Sequence, residues 1–213
     1  MKIYLIRHGR QCSKLCNVNV DLCEAGYVQA ALLGKRLAGA KIDALYSSDL
    51  LRAVETAQEA NKIWKVPHTI DPELREISFG EMEGFSDEVL AVQFADFKRQ
   101  QEEMTADLPY PGGENAADVV ARALPVLRRI AESGCKRAAV VTHGGVIRSL
   151  TAKLIGMDLA KMKLIGTGLE NCSITELDYH AETGRFTLER FNDYAHLEEN
   201  PELLRSSWVS TEN

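Results

Sequence analysis

The chain lacks most of what would force an unusual architecture. Aromatic residues make up only 7% of its 213 residues, and no internal repeat or low-complexity segment interrupts it. No apolar stretch approaches the roughly 18 residues that cross a bilayer. Met1-Lys2 runs straight into an aliphatic segment, without a leader-like stretch. A cytoplasmic protein with no membrane partner is therefore the expectation. Positive charge is in deficit: 25 Lys and Arg stand against 31 Asp and Glu, a formal charge of −6. With no basic stripe, nucleic acid is not an expected partner, although a few arginines in one cleft would still serve a small anion. Paired-cysteine frameworks are missing too. The 5 cysteines (Cys12, Cys16, Cys23, Cys135, Cys172) are odd in number, which favours free thiols. The spacing of Cys12, Cys16 and Cys23 offers no fourth ligand, and neither CxxC nor HExxH occurs, so no metal is expected.

What is present is ordinary globular material, 45% hydrophobic and 26% charged, enough for one α/β domain. Lys2–Arg7 reads as a buried strand, followed by a polar irregular segment to about Asp21. Ala25, Val28, Leu32 and Leu33 mark an amphipathic helix that stops near Gly39. Ala44–Ser47 is a short strand, with Ser47 or Ser48 placed to cap the helix carrying Leu51, Val54, Ala57 and Ile63. A third strand falls at His68–Ile70, and Pro72 to Gly84 reads as loop. Residues 85–108 are polar and helical, and Pro109-Tyr110-Pro111-Gly112-Gly113 ends them. A long helix over Asn115–Ser133, a strand at Ala138–Thr142 and a helix at Val146–Ile155 follow. Ser173–Asp178 and Arg185–Phe191 form a late antiparallel hairpin through Glu182-Thr183-Gly184. The alternation predicts a three-layer α/β/α sandwich with a mostly parallel central sheet. Residues 1–213 read as a single domain, with an excursion at about 85–113 placed to cover the active site.

Two strings carry the chemistry: Leu5-Ile6-Arg7-His8-Gly9 and Val140-Val141-Thr142-His143-Gly144-Gly145. Each is an aliphatic run ending abruptly in histidine and glycine. Ligands of open α/β sheets bind outside the carboxyl ends of the strands, so neighbouring strands would put His8 and His143 at one site. Arg7 makes the ligand an anion. A phosphate monoester would need arginine forks, for which Arg7 and Arg52 are candidates. It would need a nucleophile such as an imidazole held by one ring nitrogen. A carboxyl group must serve as acid and base, and Glu76, Glu81 and Glu83 are near in sequence. Taken singly, a strand-end histidine, a helical arginine or a loop glutamate is more often structural.

Taken together, they are not. These segments, with Leu22…Gly26…Gln29-Ala30, Tyr46-Ser47-Ser48-Asp49-Leu50-Leu51-Arg52-Ala53…Glu55-Thr56-Ala57, Leu74-Arg75-Glu76…Phe79-Gly80…Glu83-Gly84 and Pro111-Gly112-Gly113-Glu114, span nearly the whole chain in order. The chain resembles the histidine phosphatase superfamily, in its phosphoglycerate mutase-like branch. The resemblance implies His8 as nucleophile, Glu76 as acid and base, and Arg7, Arg52 and His143 as the phosphate pocket, with Gly144 beside it. It implies a structural Glu83 and neither cofactor nor metal. The 192–197 stretch resembles a family tail.

The segment after Gly9 departs from the family pattern, with Arg10, Gln11 and Lys14 in place of the usual residues. Gln11 is a candidate donor to a phosphate oxygen. Arg10 and Lys14 either add charge at the mouth, for a second anionic group, or face solvent. Trp208 is a candidate anchor for the tail or for a partner subunit, and a homodimer is admissible. The chain is short for a cofactor-dependent mutase, which carries insertions the resemblance does not cover here. The expectation is therefore a metal-independent phosphatase acting on a small-molecule phosphorylated substrate through a phosphohistidine. The alternatives are a mutase-type phosphotransferase and a non-catalytic phospholigand-binding protein. A metal-dependent hydrolase is disfavoured because Arg7 would repel the cation.

Overall fold

Aliphatic residues alternate between two helical layers along the inner strands, which is why these strands are apolar at nearly every position. The computed structural model describes residues 1–166 and 168–209. In β1 (Lys2–Arg7), Ile3 and Leu5 face one core while Tyr4 and Ile6 face the other. In β4 (Arg137–Thr142), Ala138 and Val140 repeat this, opposed to Ala139 and Val141.

Between them in sequence come β2 (Ala44–Ser47) and β3 (His68–Ile70), and after them β5 (Ile174–His180) and β6 (Arg185–Asp193). The sheet order is β3-β2-β4-β1-β5-β6. The first four strands are parallel, β5 is antiparallel to β1, and β6 is antiparallel to β5. Both hairpin strands run past the expected ends. Tyr179 and His180 pair with Phe186 and Arg185, and Ile174 with Asp193, so pairing and not hydrophobic pattern sets their length.

One layer is α1 (Glu24–Arg36) and α2 (Leu51–Trp64). Buried Ala53, Ala57 and Ala60 form a small-residue stripe on α2, and a Cβ on Gly34 would lie 3.1 Å from the Ala60 carbonyl oxygen. The two helices therefore pack backbone against backbone. The other layer is α5 (Ala116–Ala131) and α6 (Gly144–Leu154). Ala116, Val119, Ala123, Val126, Leu127 and Ile130 are its buried stripe at helical spacing. Asn115 and Asp118 close a reciprocal capping box at its start. Pro125 sits mid-helix on the outer face, where it and Ala121, whose carbonyl loses its partner to the proline, are both exposed.

Two short helices, α3 (Asp87–Gln93) and α4 (Ala95–Glu102), make up most of the polar segment. The loop from Pro72 to Gly84 holds two 3₁₀ turns, Pro72–Leu74 and Gly80–Met82. Neither Ser47 nor Ser48 caps α2. The N-cap is Leu50, and the Leu51 amide donates instead to Asn19 Oδ1 at 2.9 Å from a different loop. Both serine hydroxyls are drawn away by histidines, as described below.

Candidate active site

The parallel pairing of β1 with β4 puts Arg7 opposite Thr142, so His8 and His143 leave adjacent strand ends side by side. Their ring centroids are 5.0 Å apart. Each is clamped by backbone and by residues from distant elements. The His8 amide donates to the Thr142 carbonyl at 2.9 Å, and the His8 carbonyl accepts from Asn171 Nδ2 at 2.9 Å. The Gly9 amide donates to Thr56 Oγ1 at 2.9 Å. A Cβ on Gly9 would lie 2.8 Å from the Gly26 carbonyl oxygen, so the turn out of β1 can pass α1 only as glycine.

His8 Nδ1 faces the Gly9 carbonyl at 2.7 Å. A carbonyl only accepts, so Nδ1 carries the proton and Nε2 holds the free lone pair. Burial, with Arg52 and Arg7 next in effect, holds the His8 pKa well below its usual 6.5. The ring is neutral at neutral pH. His143, fully buried, is held neutral in the same way, by burial first and then by Arg52. Its Nε2 meets Ser48 Oγ at 2.7 Å. Ser47 Oγ is taken by His68 Nε2 at 2.8 Å.

Arg52 is 2% exposed and donates to Asn17 Oδ1 at 2.7 Å and the Val18 carbonyl at 2.9 Å. Arg7 donates through Nη1 to the Leu169 carbonyl. Burial, with Arg205 next, lowers its pKa to about 9, so it keeps its charge at neutral pH. The Nε atoms of both arginines and His143 Nδ1 are buried without a partner among the described residues. A site with three such atoms is short of acceptors, as an anion site is before its ligand arrives.

Glu76 stands opposite. Its Oε1 accepts from the Gly145 amide and from its own neighbour Ile77, each at 2.9 Å. Burial raises its pKa against the pull of those amides and of Arg52 and Arg7. The Gly145 contact leaves no room: a Cβ there would lie 2.5 Å from Glu76 Oε1 and 2.6 Å from Ile77 Cγ2. Gly145→Ala is therefore expected to displace Glu76 and cut kcat at least tenfold with a modest loss in Tm, measured by steady-state kinetics and a thermal melt. An unchanged kcat would show that Glu76 does not need this seat.

A cavity of about 220 Å³ opens here, lined by Arg7, Glu76 and Gly144 together with Phe79, Tyr110, Arg148, Lys163 and Arg205. It is smaller than the roughly 300–1,000 Å³ of pockets for drug-sized ligands. Tyr110 comes from the end of the 85–113 stretch, and Lys163 bonds Gln101 on α4, so this stretch contributes to the wall. Among the described residues, no group of three or more His, Cys, Asp and Glu is placed to hold a metal, and all five cysteines are free thiols.

The structure thus gathers His8, His143, Arg7, Arg52, Glu76 and Gly144. Gln11 is turned onto its own loop, where Nε2 donates to the Ser13 carbonyl at 2.9 Å. Glu83 ties loops, accepting from Asn17 Nδ2 and the Phe79 amide at 2.9 Å each. Arg10 neither lines the mouth nor faces solvent. It is 8% exposed and runs under the C-terminal segment, because the carbonyls there offer a buried guanidinium acceptors that the mouth does not. Lys14 is exposed. Arg148 was recoverable from spacing, since it lies four residues after Gly144 on the same face of α6. For Arg205 no local signal exists.

Comparison with known proteins agrees with this geometry. The family model of the histidine phosphatase superfamily (branch 1) matches residues 3–194. The chain belongs to that superfamily. It is 33% identical over 208 residues to phosphoglycerate mutase-like protein 4 of Arabidopsis thaliana, covering 93% of this chain and 87% of that one. It is 30% identical over 210 residues to the metal-independent phosphoserine phosphatase of the same plant, covering 92% and 83%. The structure of mycobacterial glucosyl-3-phosphoglycerate phosphatase superposes with a TM-score of 0.80 at 26% identity, covering 90% of this chain and 98% of that one. The histidine phosphatase chain described here is a phosphatase-type enzyme acting on phosphorylated small molecules.

Proposed function

We propose that this enzyme hydrolyses a small phosphorylated metabolite without a metal ion, through a phosphohistidine on His8. The observation that carries the reading is the His8 tautomer: Nδ1 is occupied by the Gly9 carbonyl, and the ring is held neutral by burial and by two arginines. Nε2 is then the one nitrogen able to attack phosphorus. In the first step the Nε2–P bond forms and the P–O bond to the leaving alcohol breaks, while Glu76 gives its proton to that oxygen. In the second step Glu76 takes a proton from water, the oxygen attacks phosphorus, and the N–P bond breaks to release phosphate and restore His8. Arg7, Arg52, His143 and Gly144 surround the phosphoryl group and meet its charge with preorganised donors. Two guanidinium groups repel a divalent cation and supply the charge that it would otherwise bring.

The test is phosphate release in excess chelator, over sugar phosphates, nucleotides, phosphorylated cofactor precursors and phosphoglycerates. Turnover within about twofold of the chelator-free rate is expected. Loss of turnover restored by a divalent metal would overturn the reading. Interconversion of phosphoglycerates dependent on added bisphosphoglycerate, with no release, would make the enzyme a mutase.

A further inference from the structure

Beyond Arg7 and Glu76, the cavity is lined by three more cations, Arg148, Lys163 and Arg205. The phosphoryl group carries at most two negative charges, and Arg7 and Arg52 already answer them. None of the other three makes an ion pair with a described residue, and Glu76 is the one carboxylate in the wall. Arg148 Nη2 donates to the neutral Gly166 carbonyl at 2.9 Å, and Lys163 Nζ to the neutral Gln101 amide oxygen. The Arg205 backbone amide is fixed to Glu170 Oε1 at 2.8 Å, but its guanidinium bonds no described residue. Burial lowers the pKa values of Arg7 and Arg148, and the charge of Arg205 adds to this at both. A small cavity whose wall holds more cations than carboxylates concentrates anions.

Arg205 begins α7 (Arg205–Val209), and its segment is held from the catalytic loop itself. Arg10 Nη2 donates to the carbonyls of Glu202, Leu203 and Leu204 at 3.4, 3.0 and 2.8 Å, and to Ser207 Oγ at 3.1 Å. Its guanidinium lies 5.6 Å from the Trp208 ring centroid. Gln29 completes the clasp, accepting from the Arg10 amide at 2.8 Å and donating to the Leu203 carbonyl at 2.6 Å. The residue two after His8 thus sets where Arg205 stands.

We propose that Arg205 is a specificity-determining residue that binds a second anionic group of the substrate, and that Arg10 is the positioning residue holding it over the cavity. This rests on the phosphatase reading and adds the residue that selects among its substrates. The second anion is a carboxylate or another phosphoryl group, and the small cavity limits it to a few bonds from the reacting phosphorus.

The experiment compares 2-phosphoglycolate and ethane-1,2-diyl bisphosphate with ethyl phosphate, which lacks the second charge. In Arg205→Ala, the kcat/KM ratio of the doubly anionic compound over ethyl phosphate is expected to fall about tenfold to a hundredfold, the worth of one charge-assisted hydrogen bond. Whichever compound shows the larger fall names the group. Arg10→Ala should lower the same ratio, and add nothing to it in the Arg205→Ala background, whereas a merely structural role would lower Tm and both substrates alike. An unchanged ratio in Arg205→Ala overturns the proposal even if Arg10→Ala fails to fold. Calorimetric Kd values for the same compounds give the contrast without turnover. A contrast in binding with no phosphate release would uphold Arg205 while rejecting the phosphatase reading.

Discussion

Alanine at His8 is expected to abolish phosphate release, by 10⁴-fold or more in kcat, while the protein folds and still binds substrate. The size follows from the proposed chemistry: without Nε2 no covalent intermediate forms, and what remains is binding plus charge stabilisation, in line with the loss typical of removing a nucleophile. His8 is 4% exposed and lies in a polar cluster. Its removal leaves the Gly9 carbonyl without one donor, a stability cost of about 1–3 kcal/mol. The intermediate itself gives the second readout. Wild-type enzyme mixed with substrate and quenched in alkali should gain the mass of one phosphoryl group on the peptide containing His8, and His8→Ala should gain none. A phosphorylated peptide elsewhere, or residual kcat above about 1% of wild type, would remove His8 from the role.

The parts of this site that were readable from sequence are those that local chemistry decides. β1 and β4 are aliphatic on both faces because both faces are buried, and the abrupt change to His-Gly marks the sheet edge where ligands sit. Glu76 and Arg52 were found by their place in a recognised order of motifs. What escaped was decided by contacts between distant segments. Ser47 and Ser48 looked like helix caps, a fair reading of serine before an apolar stripe. In the fold, the pairing of β2 with β4 brings Ser48 to His143, and the pairing of β2 with β3 brings Ser47 to His68. A buried imidazole draws the hydroxyl that an exposed helix end can replace with Asn19 or water. Arg10 met neither expectation, charge at the mouth or exposure to solvent, for a related reason: it is consumed by four acceptors between Glu202 and Ser207. Arg205 stands 197 positions after His8 in the sequence, and only the tail's path over the cleft joins them.

The second large effect is expected at Glu76, and it should depend on the leaving group. Glu76→Gln keeps the shape and an acceptor for the Gly145 amide, but removes the proton. For an alkyl phosphomonoester, whose alkoxide leaves badly, kcat/KM is expected to fall by about 10²–10⁴-fold, the usual worth of general acid catalysis. For p-nitrophenyl phosphate, whose leaving oxygen needs no proton, the fall should be about tenfold or less. The pH dependence fixes the sign. The first step needs His8 neutral and Glu76 protonated. The His8 pKa is lowered by burial and by Arg52, so its neutral form persists from well below pH 6.5 upward. The Glu76 pKa is raised by burial, so its protonated form survives above the usual 4.5 and is lost as pH rises through the raised value. The ratio of wild-type to Glu76→Gln kcat/KM on the alkyl substrate should therefore be largest on the acid side and decline as pH rises, with the substrate's own ionisation cancelling. A ratio flat in pH, or equal losses on alkyl and p-nitrophenyl phosphates, would mean that Glu76 shapes the cavity and does not transfer the proton. The leaving-group proton would then have to come from elsewhere in the cavity, where Lys163 and Tyr110 each carry one.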